Sequence, residues 1–356
     1  MTPPFAMRRV ESIFLVFAVV FYVWFLSHFG AGQVLAYLRT AGWGLALTIA
    51  LESVARVANT LGWRATIAEC PRELGFGRLF AARIAGEAVD YVTPTAQLGG
   101  QFVMALMVRR VLRMPIALAT VIVAALTEAI GQIVFVSAAI LVSIPMIPQA
   151  HRLLWPIFGG LAIAVALAAA FFWVQTRRPF SYLWRTAVKF DFGAAAHDEI
   201  RTSADEADSI LLDFYAHHRP RLLASCLCYI VAWSMGPVEI FILLKLLHQP
   251  ATIRIALLVE GVGLLIERAT FLIPAKLVSQ EGGKALILGL LGYPAGVGFA
   301  IGFLRRIKEM VWVLFGLASL TAHRLVVERA SGAGHALSAR SANVLEIQKA
   351  QGEQTL

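Results

Sequence analysis

Charged residues are scarce in this sequence: only 15% of its 356 residues are Asp, Glu, Lys or Arg. A soluble globular protein has about a quarter charged residues and is just under half apolar, whereas 59% of this chain is hydrophobic. Apolar runs long enough for a bilayer core, which takes about 20 residues per helix, recur at 12–29, 222–247 and 295–322. This scarcity excludes an ordinary soluble domain and predicts an all-α polytopic integral membrane protein.

Cysteine is rare as well, and familiar catalytic motifs are missing. The three cysteines (Cys70, Cys226 and Cys228) cannot form a disulfide framework. Cys226 and Cys228 lie two residues apart in an apolar helix, where their side chains diverge, so a shared metal ion is not expected. The sequence has no Walker motif, nucleophile elbow or His/Asp metal cluster. We therefore expect no catalytic residue, no metal, no cofactor and no direct use of ATP.

The formal net charge of +9 does not indicate a nucleic-acid partner, because the basic residues gather at the ends of apolar runs. This distribution is the positive-inside pattern of multi-pass membrane proteins. It predicts that the N- and C-termini are both cytoplasmic. The main clusters are Arg8 and Arg9; Arg109, Arg110 and Arg113; Arg177 and Arg178; and Arg324 with Arg329.

The stretch "GEAVDYVTPTAQLGGQ" at 86–101 interrupts an apolar region whose two ends are both basic. Two full crossings need roughly 40 residues, but only about 30 separate the basic clusters. A re-entrant hairpin fits this length. We predict one half-helix to Val92, a break at Thr93 and Pro94, and a second half-helix from Gly99.

Residues 222–323 repeat the plan of residues 1–174. "TPTAQLGGQFVMALMV" at 93–108 and "IPAKLVSQEGGKALILGLLGYP" at 273–294 both contain a proline, an irregular span, a glycine pair and an apolar half-helix. Such broken helices in inverted repeats are common in transporters. We predict one transmembrane domain over 1–330 with about six full spans and two re-entrant helical hairpins. An amphipathic cytoplasmic segment at 175–221 would separate the halves, and 331–356 would be a disordered tail.

Ionisable residues inside the apolar runs indicate a polar cavity. Glu52 and Arg56 lie four residues apart on one helix, and Arg83, Glu87 and Asp90 share a face of the first half-helix. A charge at mid-bilayer costs roughly 2.5–3.5 kcal/mol, so these groups must face one another or water. Backbone amides freed at the breaks are tolerated at membrane depth only beside a cavity. The alternative is that the pairs only hold helices together and the breaks are proline kinks with glycine packing.

Four stretches resemble the integral-membrane, flippase-like domain of the lysylphosphatidylglycerol synthase family, in particular its stand-alone branch associated with hopanoid biosynthesis. They are "RVANTLGWRATI" (56–67), "GEAVDYVTPTAQLGGQFV" (86–103), "FLIPAKLVSQEGGKALILGLLGYP" (271–294) and "FLRRIKEM" (303–310). The resemblance implies a protein of the bacterial inner membrane that moves lipids between leaflets. Gln101 stands where the family commonly has an acidic residue, and Ala275-Lys276 where it tends towards glycine, so the cargo is expected to differ. The tail is too short for the soluble aminoacyl-transferase domain of two-part members.

The hypothesis we favour is a lipid translocase, not an enzyme. It would move an anionic or polar-headgroup lipid (phospholipid, aminoacyl-lipid or hopanoid) through a central polar cavity, with arginines binding the anion and glutamates gating or accepting protons. The alternatives are a non-transporting scaffold for lipid-biosynthesis enzymes, acting through 175–221, and a membrane-embedded lipid-modifying enzyme. Membrane lipids are the expected partners. The candidate translocation-site residues are Arg56, Glu87, Asp90, Pro94, Gln97, Gly99, Gly100, Glu128, Glu267, Arg268, Gln280, Glu281, Gly282, Gly283, Arg305, Arg306 and Glu309.

Overall fold

The computed structural model describes residues 42–93, 98–143, 145, 150–189, 197–269 and 279–353, and these ranges contain eleven helices and no strand. The predicted all-α fold class is therefore confirmed. The apolar run at 12–29, Pro94 of the first predicted break and residues 270–278 before the second glycine pair lie outside the described residues. Thr93, the other residue of the first predicted break, is described: it follows the helix Phe76–Val92 in an extended conformation and so ends that helix as predicted. The helices are α1 (Trp43–Ala65), α2 (Phe76–Val92), α3 (Leu98–Val108), α4 (Met114–Ser143), α5 (Ala150–Gln175), α6 (Pro179–Lys189), α7 (His197–His217), α8 (Arg219–Leu246), α9 (Ile253–Ala269), α10 (Ser279–Leu290) and α11 (Ala295–Glu353).

Four of the described helices contain a stretch that is long and apolar enough to cross a membrane. These stretches have 18 to 31 residues, against the roughly 20 that a bilayer core requires. The helix α1 is not among the four, and its sequence carries Glu52, Arg56 and Arg64. The four stretches are Met114–Ser143 in α4, Phe158–Gln175 in α5, Arg219–Leu246 in α8 and Gly296–Val326 in α11.

The two arms of the first predicted hairpin, α2 and α3, pack against each other. Asp90 Oδ1 accepts a hydrogen bond of 2.7 Å from the backbone N–H of Gly100. A side chain on Gly86 would meet the Gly100 carbonyl oxygen at 2.7 Å and the side chain of Met104. Glycine is required here because the two backbones are already in close contact.

The second predicted hairpin consists of α9 and α10, which are also in contact. Lys284 Nζ of α10 lies 3.3 Å from Glu267 Oε1 of α9. Each hairpin also packs on a long helix of the other half, since α2 contacts α11 and α9 contacts α4. Within each half, α3 contacts α4 and α10 contacts α11. This exchange of equivalent contacts is the pattern of a two-fold repeat, and it supports the repeat predicted from the sequence.

Apolar side chains form an interior core in each half and an exposed surface on the outer helices. The first core surrounds Trp63 and Val103, and the second surrounds Ile240 and Ile301. In contrast, α5 exposes large apolar side chains almost along its whole length, including Trp155 at 83%. Lipid tails solvate such a face without penalty, so this exposure suits a membrane helix.

The amphipathic segment predicted at 175–221 is divided into two helices, α6 and α7. The carboxylate of Asp208 on α7 is buried and accepts the backbone N–H groups of Phe180 and Ser181, at 3.1 and 2.9 Å. It therefore caps the start of α6, where helix amides lack partners. The apolar side of α7, with Leu211 and Phe214, packs on α4.

The last helix is longer than the predicted span at 295–322. It starts at Ala295, as expected, and continues to Glu353. Residues 331–353, which lie in the segment for which we predicted a disordered tail, are therefore helical in the structure. Gly332 and Gly334 do not stop the helix, because a helix tolerates a single glycine at a cost of about 1 kcal/mol. No proline lies between the span and the tail.

Candidate functional site

A polar cavity of about 270 Å³ lies between the two halves of the protein. Residues of α1, α2, α3, α4, α8, α9 and α11 line it. The described lining contains seven carboxylates and four cations, and it therefore has an excess of negative charge. The carboxylates are Glu52, Glu87, Asp90, Glu128, Glu260, Glu267 and Glu309, and the cations are Arg56, Arg83, Arg305 and Lys308.

A first ion-pair group joins α1, α2 and α4 and consists of Glu52, Arg56, Arg83, Glu87 and Glu128. Arg83 Nε lies 2.6 Å from Glu87 Oε1, one helical turn away, and Arg83 Nη2 lies 2.9 Å from Glu128 Oε2. Arg56 Nη2 lies 2.9 Å from Glu52 Oε1, and the same guanidinium contacts Glu87. Each arginine of the group is thus shared by two carboxylates.

A second ion-pair group joins α8, α9 and α11 and consists of Glu239, Glu260, Arg305 and Lys308. Arg305 Nε lies 3.0 Å from Glu239 Oε2, and Arg305 Nη2 lies 3.0 Å from Glu260 Oε1. Lys308 Nζ lies 2.8 Å from Glu239 Oε2. All four residues are largely buried, and mutual pairing is what makes charges at this depth tolerable.

The two groups contain equivalent ion pairs with the charges reversed. Arg83 of α2 pairs with Glu128 of α4, and the two residues are 45 positions apart in the chain. Glu260 of α9 pairs with Arg305 of α11, and these residues are also 45 positions apart. In each case a hairpin arm is joined to the long helix that follows the hairpin. The repeat therefore extends from the helix packing to the charged residues of the cavity.

Several uncharged polar groups of the lining have no hydrogen-bond partner among the residues that the structure describes. The Nε1 atoms of Trp233 and Trp312 and the Oε1 atom of Gln101 are buried and make no hydrogen bond to any residue that the structure describes. All three residues line the cavity. Trp312 also lies under the guanidinium of Arg56, whose Cζ is 5.7 Å from the ring centroid. An unpaired buried donor costs about 1–3 kcal/mol, so these groups are expected to have an external partner.

The family comparison agrees with this architecture. Residues 12–317 match the family model described as "Lysylphosphatidylglycerol synthase TM region". The chain belongs to this family. No match was found among curated proteins or among solved structures.

Membership of the lysylphosphatidylglycerol synthase TM region family confirms the family that the sequence resembled. Within this membrane domain, seven of the candidate site residues line one cavity although they come from five different helices. The chain segments between them extend over more than half of the sequence, so only the tertiary fold brings them together. The seven are Arg56, Glu87, Asp90, Glu128, Glu267, Arg305 and Glu309.

The other candidate residues lie elsewhere or are not described. Arg306 is fully buried and donates to the hydroxyl of Tyr91 at 3.4 Å, outside the described lining. The glycines mark helix starts instead of lining the cavity, and Gly282 is exposed. Five candidates are described but do not line the cavity: Gly99, Gly100, Gly282, Gly283 and Arg306. Three lie in described helices, but their side chains are not described: Arg268, Gln280 and Glu281. The last two, Pro94 and Gln97, lie outside the described residues.

The N-terminus of α3 binds a carboxylate of the protein itself. A helix N-terminus attracts negative charge, so the amides near Gly99 are in principle able to bind an anionic headgroup. The amide of Gly100 instead donates to the carboxylate of Asp90. This terminus of the membrane domain therefore already carries an anion.

Several residues of the two ion-pair groups were not among the candidates. The sequence shows each of them as a charge within an apolar helix, and Glu239 is the plainest example, since it lies in the apolar part of α8. The sequence thus shows that these residues are charges within apolar helices, but it does not show which of them form ion pairs. The missed residues are Glu52, Arg83, Glu239, Glu260 and Lys308, together with Lys284, which pairs with Glu267 beside the cavity.

Proposed function

We propose that this protein is a lipid translocase of the bacterial inner membrane, with both termini in the cytoplasm. The headgroup would cross through the polar cavity while the acyl or polycyclic chains remain in the bilayer. The observation that carries the proposal is the convergence of eleven ionisable side chains from both halves on one cavity. A scaffold needs no such lining, since apolar and small residues pack membrane helices without the cost of burying charge.

The charge of the lining favours a headgroup with a positive group, such as an aminoacyl or amine headgroup, over a purely anionic one. Carboxylates outnumber cations in the described lining. Arg56, Arg83 and Arg305 are each shared by two carboxylates, as is Lys308. A phosphate that bound one of these cations directly would have to displace a carboxylate, which would then be buried without a partner.

The two-fold arrangement supports movement by alternating exposure of the cavity. The pairs Arg83–Glu128 and Glu260–Arg305 join equivalent helices of the two halves. In repeat-containing transporters, one half rocks against the other around a fixed central site. We propose that opening one of these pairs at a time exposes the cavity to one leaflet.

The test is a leaflet-access assay with purified protein in liposomes. Fluorescent phosphatidylethanolamine in the inner leaflet is protected from external dithionite until it is translocated. We expect the wild-type protein to expose it, and Glu87→Gln together with Arg305→Ala to reduce the rate at least tenfold. Arg113→Ala, at an exposed site, is the control and should leave the rate unchanged. Wild-type vesicles that behave like empty ones would contradict the proposal.

A further inference from the structure

We propose that neutral donors, not arginines, bind the phosphoryl oxygens of the headgroup, and that these donors are the indole N–H groups of Trp233 and Trp312. The inference rests on the proposed function and adds to it a binding subsite for phosphate oxygen. It starts from the fact that both tryptophans line the cavity and that neither Nε1 has a hydrogen-bond partner among the described residues.

The cations of the cavity are already engaged by carboxylates, so the tryptophans are better placed to bind a phosphate oxygen. Each cation of the described lining already contacts two carboxylates. The backbone amide of Gly100, at the start of α3, is bound to Asp90. The Nε atoms of Arg56 and Arg305 also lack a hydrogen-bond partner among the described residues, but each guanidinium is held by two carboxylates. A phosphodiester oxygen that enters the cavity can therefore bind the two indoles without separating an ion pair.

Both tryptophans belong to the second half, and Trp312 also lies close to the first half. Trp233 belongs to α8 and Trp312 to α11, and the ring of Trp312 lies 5.7 Å from Arg56 Cζ of the first half. Gln101 of α3 adds an acceptor, because its buried Oε1 is also unpaired within the described structure. Two donors and one acceptor, all uncharged, match a phosphodiester next to an ammonium or hydroxyl group.

Neutral recognition also has a consequence for transport. A guanidinium–phosphate bond in a dry cavity is strong and is charge-assisted, and a headgroup held that way leaves slowly. A hydrogen bond from an indole is weaker than a guanidinium–phosphate bond because only the phosphate carries a full charge. The lipid is then recognised by its oxygen atoms and still released into either leaflet.

The first experiment reports on the indole N–H groups directly. The full chain, labelled with ¹⁵N at its eight tryptophan indoles, is purified in maltoside micelles, which contain no phosphate. Trp233→Phe and Trp312→Phe each remove one signal from the ¹H–¹⁵N spectrum and so assign it, while the aromatic ring is kept. Trp155→Phe assigns the signal of an exposed tryptophan on α5 as the control.

We expect phosphatidylethanolamine to move the Trp233 and Trp312 signals downfield and to leave the Trp155 signal in place. Diacylglycerol with the same chains, which has no phosphate, should move neither, and inorganic phosphate at millimolar concentration tests whether phosphate alone is sufficient. No shift with phosphatidylethanolamine, or the same shift with diacylglycerol, would overturn the inference. The second result would mean that only water or the lipid chains reach these donors.

A binding measurement separates this inference from the proposed function. We expect Trp233→Phe and Trp312→Phe each to weaken phosphatidylethanolamine binding about five- to tenfold, and Trp155→Phe to have no effect. If the wild-type protein binds and the indoles shift but no lipid crosses the vesicle, the translocase proposal fails and the subsite stands. If translocation is normal in both tryptophan variants and binding is unchanged, the subsite is wrong and the translocase stands.

Discussion

Lys308 Nζ lies 2.8 Å from Glu52 Oε2, an ion pair between residues 256 positions apart in the chain. The same ammonium lies 2.8 Å from Glu239, and the same Glu52 carboxylate lies 2.9 Å from Arg56. Glu52 is thus a member of the first ion-pair group that also contacts the second. This contact joins the two ion-pair groups in one continuous network.

Removal of Lys308 is expected to destabilise the protein strongly. Lys308→Met leaves the buried carboxylates of Glu52 and Glu239 without their shared ammonium, and breaking a buried pair costs about 3–5 kcal/mol. Thermal unfolding followed by size-exclusion chromatography in detergent should show a clearly lower midpoint. Lys245→Met is the control, because Lys245 is exposed on α8 and its Nζ only lies over the ring of Phe241. Equal midpoints for the two variants would contradict the importance of this link.

Exchange of the charges between Glu260 and Arg305 is expected to restore part of the lost activity. Glu260→Arg alone and Arg305→Glu alone each place like charges together in a buried site, and we expect both to abolish leaflet exchange. The double variant has the order already found at Arg83–Glu128, with the cation on the hairpin arm. Its transport rate should exceed that of either single variant at least tenfold. A double variant as inactive as the singles would show that the pair acts through more than its mutual attraction, as Glu239 also contacts Arg305.

Replacement of Gly100 by alanine is expected to open the first hairpin. The new methyl group would collide with the Asp90 carboxylate and with the Gly86 carbonyl oxygen, and forced overpacking of this kind costs about 1–3 kcal/mol. Gly77→Ala on α2 is the matched control, since no atom lies within 4 Å of its added methyl group. Hydrogen exchange by mass spectrometry should show faster exchange in α3 for Gly100→Ala only. Unchanged exchange in α3 would mean that the arms are not held by this contact.

A variant at the contact between Asp208 and α6 distinguishes the translocase hypothesis from the alternative that the protein is a scaffold acting through 175–221. Asp208→Ala removes the acceptor for the N–H groups of Phe180 and Ser181, and we expect α6 to exchange its amides faster. If the cavity carries the function, leaflet exchange in vesicles should stay within twofold of the wild-type rate. Arg113→Ala breaks only an exposed pair with Glu206, which is worth about 1 kcal/mol or less. Loss of cellular function in Asp208→Ala with normal vesicle transport would favour the scaffold.

Local patterns in the sequence predicted the helices well. The apolar run at 222–247 predicted the start and end of α8 to within three residues, because an apolar run and its charged flanks define a membrane helix locally. The division of 175–221 into two helices was missed, since the cap that starts α6 comes from Asp208, 27 and 28 residues away. A cap supplied from another helix leaves no local signature.

The sequence by itself determined that the chain is a helical membrane protein, because hydropathy and basic flanks act within a few turns of where they stand. From its prolines and glycine pairs it also predicted two interrupted, related halves. It also showed that charges lie inside the apolar runs. Only the tertiary structure decided which of these charges meet, that Lys308 contacts both Glu52 and Glu239, and that Asp90 rather than a ligand takes the amide of Gly100. The reason is physical: the energy of a buried charge depends on its distance to groups from other helices, and that distance exists only after the two halves have packed together.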